Sequence, residues 1–161
     1  MSASLDPIDL RILQLLQPNA RISNADVARE LSMAPSAILE RIRKLEQRGL
    51  IQAYETRVEP RKVGLSLTAF VFVRADEPPA GGPTIGDQLA ALPELLEVHQ
   101  VAGEDCYLVK LRARDTDDLA RVLSQRIGGV RGVRSTRTTI VLATHKETAC
   151  VPLAHPEARD E

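Results

Sequence analysis

Aromatic side chains are nearly absent: there is no tryptophan, and only Tyr54, Phe70, Phe72 and Tyr107 in 161 residues. A protein that stacks single-stranded bases one after another needs more platforms than these, so that class is excluded. Cysteine is scarce as well. Cys106 and Cys150 make no disulfide framework, and their separation has no metal-ligand spacing. His99, His145 and His155 form no H-x-x-x-H pair, so neither a metal nor any other cofactor is expected. Long hydrophobic runs are missing too. The longest uncharged apolar stretch, residues 63–73, has 11 residues, against roughly 20 for a spanning helix; no membrane partner is expected. The opening MSASLDPIDL lacks the basic and apolar regions of a signal peptide, which leads to the expectation of a cytoplasmic protein with reduced thiols. Nor is there an excess of either charge, since 21 Lys+Arg face 22 Asp+Glu. That excludes a uniformly basic coat but not a local basic face.

The first fifty residues carry three helical periods. Asp6-Pro7 suits a cap and first helical position, and Asp9 complements the dipole. Ile8, Ile12, Leu15 and Leu16 follow as one apolar stripe. Ser23-Asn24-Ala25-Asp26 matches a capping box and starts a short helix with Val27, Ala28 and Leu31 inward. Ser32-Met33 leaves room only for a tight turn before Pro35. A third helix then places Ile38, Ile42 and Leu45 inward and stops at Gly49. Helix, tight turn, helix in this span is the helix-turn-helix arrangement.

The outer side of the third helix carries Ser36, Ala37, Glu40, Arg41, Arg43, Lys44 and Arg48, a local excess of positive charge in a neutral chain. Small residues at its N-terminus, where the dipole favours phosphate, suit entry into a major groove. Residues 50–58 are β-prone and fit a short wing hairpin, with Arg57, Arg61 and Lys62 as a positive edge.

The second half alternates differently. Residues 66–74 set Leu67, Ala69, Val71 and Val73 against Thr68, Phe70 and Phe72, a strand pattern. After a Pro/Gly-rich loop (residues 78–83), a capping box at Thr84 leads a helix with Ile85, Leu89 and Leu92 on one face. Strands are expected at 95–101 and 106–114, the latter with Tyr107, Val109 and Leu111 together. A helix follows from Thr116 with Leu119, Val122, Leu123 and Ile127 inward, ending at Gly128-Gly129, and a long last strand covers 133–144. The order β-α-β-β-α-β is the ferredoxin-like split βαβ. Two helices cover one face of such a sheet; self-pairing of two domains is the simplest cover for the other. The expected organisation is α+β: a winged helix-turn-helix at 1–59, a linker at 60–65, a βαββαβ ferredoxin-like domain at 66–146, and an acidic mobile tail at 147–161.

Three segments carry a specific resemblance. LDPIDLRILQLLQPNARISNADVARELSMAPSAILERIRKLEQRGLIQAY, VAGEDCYLVKLRARDTDDL and VRSTRTTIVL, in this order and spacing, resemble the Lrp/AsnC (feast/famine) family of transcriptional regulators. The resemblance implies a homodimer on double-stranded DNA, assembling further to octamers, and a small effector, usually an amino acid, bound between C-terminal domains. It implies DNA contacts at Ser36, Ala37, Glu40, Arg41, Arg43, Lys44, Arg48 and Arg57, with Arg41 in the family's E-R-[VI]-[RK]-x-L-E pattern. Where the family often has Ser before the recognition-helix proline, this chain has Ala34. The implied effector site is Val101, Ala102, Gly103, Glu104, Asp105 and Cys106, with Thr136 and Thr138 on the last strand. The family's loop reads G-[DE]-x-D-[YF]; here Cys106 replaces the second acid, which makes the pocket less polar.

Two other readings share this layout. Sirohaem decarboxylases resemble it but need basic and imidazole groups around a tetrapyrrole, and His99 and His145 form no cluster in sequence. A sensing module without DNA binding conflicts with the charge on the third helix. No catalytic set is visible, so the chain is read as a regulator rather than an enzyme.

Overall fold

The computed structural model describes residues 5–76, 82–103 and 105–153. They fall into two compact units: the chain up to Arg57 together with the residues from Glu147 onward, and Val58–Lys146 between them. Among the described residues no helix is long and apolar enough to cross a membrane.

The first unit contains α1 (Pro7–Leu16), α2 (Asn24–Glu30) and α3 (Pro35–Gln47). Asp6 caps α1, accepting from the Ile8 N–H at 2.7 Å, and Ser23 caps α2, accepting from the Asp26 N–H. Ala34 gives α3 no side-chain cap. The core joins Ile12, Leu13 and Leu16 to Val27, Ala28, Ile38, Ile42 and Leu45. Leu10 and Leu13 are buried while Ile8 and Leu15 are only half-buried, so α1 is rotated from the expected stripe.

Both helix ends that shape the helix-turn-helix are left-handed. After α2, Ser32 has φ +52; its N–H reaches the Arg29 carbonyl, and the Met33 N–H reaches Ala28 at 2.9 Å. After α3, Gly49 has φ +69, with Gly49 N–H on Glu46 and Leu50 N–H on Leu45, each 2.9 Å. These paired bonds satisfy carbonyls that a helix end otherwise leaves open.

Residues 51–58 form no ladder, contrary to the expected wing hairpin. Among the described residues no strand pairs with this run, and a 3₁₀ turn follows at Pro60–Val63. Residues 148–153, placed in the expected mobile tail, lie on the helical unit. The Val151 N–H donates to Gln17 Oε1 at 2.7 Å, and Gln17 Nε2 donates back to the Val151 carbonyl at 3.1 Å. Leu153 packs against the helical core; residues 154–161 of the expected tail lie outside the described residues.

The second unit runs β1 (Leu67–Ala75), α4 (Ile85–Ala90), β2 (Leu95–Gln100), β3 (Tyr107–Ala113), α5 (Thr116–Arg121) continued by a π-helical stretch (Val122–Ile127), and β4 (Val133–Ile140). The strands form an antiparallel sheet in the order β2-β3-β1-β4, which is the expected βαββαβ arrangement. Its core is Ala69, Val71 and Val73 of β1 and Tyr107, Val109 and Leu111 of β3 under Ile85, Leu89, Leu119, Val122 and Ile127. β4 stops at Ile140 rather than 144: its ladder with β1 closes at the Ile140–Ala69 pair, followed by one bond from the Val141 N–H to the Thr68 carbonyl. The opposite face carries half-buried Phe70, Phe72 and Leu108.

Candidate nucleic-acid interface and effector loop

Ser36, Glu40, Arg43, Lys44 and Gln47 are exposed on α3 and recur at i, i+4, i+7, i+8 and i+11. At 3.6 residues per turn they lie opposite Ile38, Ile42 and Leu45. The hydrophobic stripe therefore fixes which groups face outward. Gln47 was not among the expected contacts, although its spacing from Ser36 and Glu40 marks it. Ala37 is half-buried at the helix start. Arg43 pairs with Glu40 at 3.2 Å, one turn apart, so the outward stripe presents an acid beside two bases.

Two expected contacts face elsewhere. Arg41 Nη1 meets Asp9 Oδ1 at 2.7 Å and Asp6 Oδ2 at 3.1 Å. Its side chain is 29% exposed and that of Asp9 12%. Arg48 lies 3.8 Å from the other Asp9 oxygen. The hydrogen bond from Arg41 to Asp9 is the main cause that raises the arginine's pKa above its ordinary value. The Ile8 N–H, then Arg41, hold the Asp6 carboxyl below its ordinary range. Asp6 and Asp9 do more than cap α1 and complement its dipole: they hold α3. Arg57, exposed, donates to the Glu147 carbonyl at 2.7 Å. Tyr54 donates to Glu46 at 2.9 Å, and burial and that carboxylate push its phenol up to about 12.

In the second unit the loop before β3 is closed by Val101 N–H on the Cys106 carbonyl and Cys106 N–H on Val73, both 2.9 Å. Ala102 and Gly103 are exposed, Gly103 with φ +130. Glu104 lies outside the described residues. Cys106 is half-buried, its thiol donating to the Ala75 carbonyl at 3.2 Å. Asp105 accepts from Arg137 at 2.8 Å, and that guanidinium lies 4.1 Å over the Phe72 ring. Thr136 and Thr138 sit opposite Val73 and Val71, whose side chains face the helices, whereas Arg137 sits opposite Phe72 on the sheet face away from those helices. The structure thus brings Asp105 to Arg137 and leaves the two threonines on the other side of the sheet. Strand alternation signals this split; which face the loop acid chooses is set by Arg137. Among the described residues no three His, Cys, Asp or Glu side chains gather as a metal site.

A separately cored helix-turn-helix with a charged outward helix, followed by an antiparallel sheet under two helices, is the build of a transcriptional regulator with its own sensing domain. Comparison with known proteins makes this specific. A family model described as the Lrp/AsnC ligand binding domain matches residues 68–151, and one described as winged helix-turn-helix DNA-binding matches residues 5–52. The HTH-type transcriptional regulator FL11 of Pyrococcus horikoshii is 35% identical over 95% of this chain and 99% of its own length. The leucine-responsive regulatory protein of Escherichia coli is 34% identical over 89% of this chain and 88% of its own. The crystal structure of the regulator NMB0573 of Neisseria meningitidis with L-Met superposes with TM-score 0.86 at 28% identity, covering 93% of this chain and 97% of that one. The chain belongs to the Lrp/AsnC family of transcriptional regulators.

Proposed function

We propose that the chain reads double-stranded DNA through the outward stripe of α3, as a homodimer that assembles further toward octamers, in the cytoplasm, and that a bound amino acid shifts this assembly. The observation that carries the DNA reading is the exposure of Ser36, Glu40, Arg43 and Lys44 opposite a fully apolar stripe. A helix anchored on one side and charged on the other presents base- and phosphate-contacting groups in one row. Ala37 at the helix start and Arg57 beyond α3 supply further backbone contacts in this reading.

The effector reading rests on the loop at 101–106 with Thr136 and Thr138, on the L-Met complex of the Neisseria protein and on the leucine response in the name of the Escherichia protein. With Asp105 already paired to Arg137, an amino acid at this loop meets the backbone of residues 101–103, while the hydroxyls of Thr136 and Thr138 are offered from the other face of the sheet. The relatives named above are regulators, and no cofactor enters the proposal.

Three measurements test it. The purified protein should enrich a defined duplex from a random-sequence pool; enrichment of none overturns the DNA reading. A thermal-shift screen of the twenty amino acids should give a hit, worth about 2.7 kcal/mol at a hundredfold excess over Kd. Light scattering should then show a changed mass. Silence across the panel overturns the amino-acid effector alone.

A further inference from the structure

Arg41 sits on the flank of α3, between the apolar stripe and the outward one. Arg48 occupies the same flank two turns on, seven residues away. Both guanidinium groups point to a single carboxylate, Asp9, at 2.7 and 3.8 Å. Arg41 is also held by Asp6 at 3.1 Å, the residue whose other oxygen caps α1 through the Ile8 N–H. Asp9 is among the few buried charged residues of the chain. A carboxylate placed there without a cation loses hydration with no return. The first turn of α1 therefore has one arrangement in which its acids are satisfied, and that arrangement fixes the roll of α3 about its own axis. Rotation by one residue, about 100°, would replace the outward stripe with another.

We propose that Arg41 is a positioning residue: clamped by Asp6 and Asp9, it sets the roll of α3 and so aims Ser36, Glu40, Arg43 and Lys44, and makes no DNA contact itself. The proposal rests on the DNA reading above. A phosphate contact and a positioning clamp predict different things. Removing a phosphate contact lowers the dependence of affinity on salt, by about 0.9 in log–log slope per phosphate lost, and weakens all sequences alike. Loosening a clamp blurs sequence discrimination while leaving the charges that meet the backbone in place. The acids separate the two further. If Arg41 swings out to DNA, Asp6 and Asp9 compete with the phosphate, and neutralising Asp9 tightens binding. If Arg41 is a clamp, neutralising Asp9 weakens it.

The test uses the full chain, the duplex that the wild type enriches from a random-sequence pool, and an unrelated duplex of equal length. Affinity is followed by fluorescence anisotropy across a salt series, below the unfolding range of each variant. Arg41→Gln and Asp9→Asn should each weaken the enriched duplex about tenfold, with the unrelated duplex and the salt slope unchanged, and the double variant should be no worse than either alone. Arg43→Gln should instead lower the slope. A slope lowered by Arg41→Gln, or tighter binding by Asp9→Asn, overturns the clamp. Should Arg41→Gln fail to fold, the sign of the Asp9→Asn effect decides alone. Failure of the wild type to enrich any duplex overturns the DNA reading itself and the clamp with it, a result distinct from all the others.

Discussion

The two left-handed caps around the helix-turn-helix give a matched pair of perturbations with opposite signs. Gly49 has φ +69, and a Cβ built there meets nothing within 4 Å. Gly49→Ala therefore isolates the backbone cost. The left-handed conformation costs an L-residue roughly 1–2 kcal/mol, and the stiffer unfolded chain returns about 0.4–1 kcal/mol. The net loss is about 1 kcal/mol. Ser32 already bears that cost at φ +52, with an exposed side chain. Ser32→Gly should recover a similar amount, about 1 kcal/mol. Native-state hydrogen exchange at Ile42 and Leu45, both buried in α3, reads the opening of this unit. Gly49→Ala should speed exchange there about fivefold, and Ser32→Gly should slow it about fivefold. Faster exchange in Ser32→Gly, or none of the expected acceleration in Gly49→Ala, would refute the assignment of strain to these two positions.

Gly132 is a stricter case: its φ is +105, and a Cβ would lie 2.7 Å from the Asp76 carbonyl and 2.8 Å from Ile85 Cδ1. Gly132→Ala should cost at least about 2 kcal/mol, visible as a lowered urea midpoint. Asp118 accepts from Arg114 and Arg121 and from the Arg114 N–H, and these hold its carboxyl well below the ordinary range. Because the folded value is depressed, the stabilisation is complete above the unfolded value near 3.9 and is lost as pH falls through the window beneath it. Asp118→Asn should flatten the fall of the urea midpoint below about pH 4; an unchanged acid limb would contradict the pairing. Gln17→Ala removes both hydrogen bonds to Val151. It should expose the Val151 amide to rapid exchange while global stability moves by about 1 kcal/mol or less.

Helix starts were legible because caps act locally. Ser23 and Thr84 each bond the N–H three residues on, within reach of sequence spacing alone. The strand faces were legible for a similar reason: Ala69, Val71 and Val73 alternate with Phe70 and Phe72, and a sheet obeys that period. Contacts distant in sequence were not. Arg41 reads as one more base on a charged helix until Asp9, on another helix, takes it up. Gln17 and Val151 are more than a hundred residues apart, and neither type signals the other. Strand length depends on a partner distant in sequence: the ladder of β4 closes where Ile140 meets Ala69 of β1, and nothing in residues 133–144 alone marks that point. The π-helical stretch at Val122–Ile127 keeps Leu119, Val122 and Ile127 buried, so the apolar spacing alone could not distinguish it from a regular helix.

The hydrogen bonds between Gln17 and Val151 make the helical unit discontinuous along the chain. Its three helices are translated first, yet Leu153, which packs against their core, lies more than a hundred residues beyond the end of α3. At roughly 5–20 residues per second of synthesis, the nascent helices wait on the order of 5–20 s for that closing piece. Until then the side-chain amides of Gln14 and Gln17 lack the Leu153 and Val151 carbonyls to which they donate in the folded unit. Residues 151–153 thus act as a seal on the first helix, and the helical unit takes this form only once a segment more than a hundred residues beyond its third helix has been made.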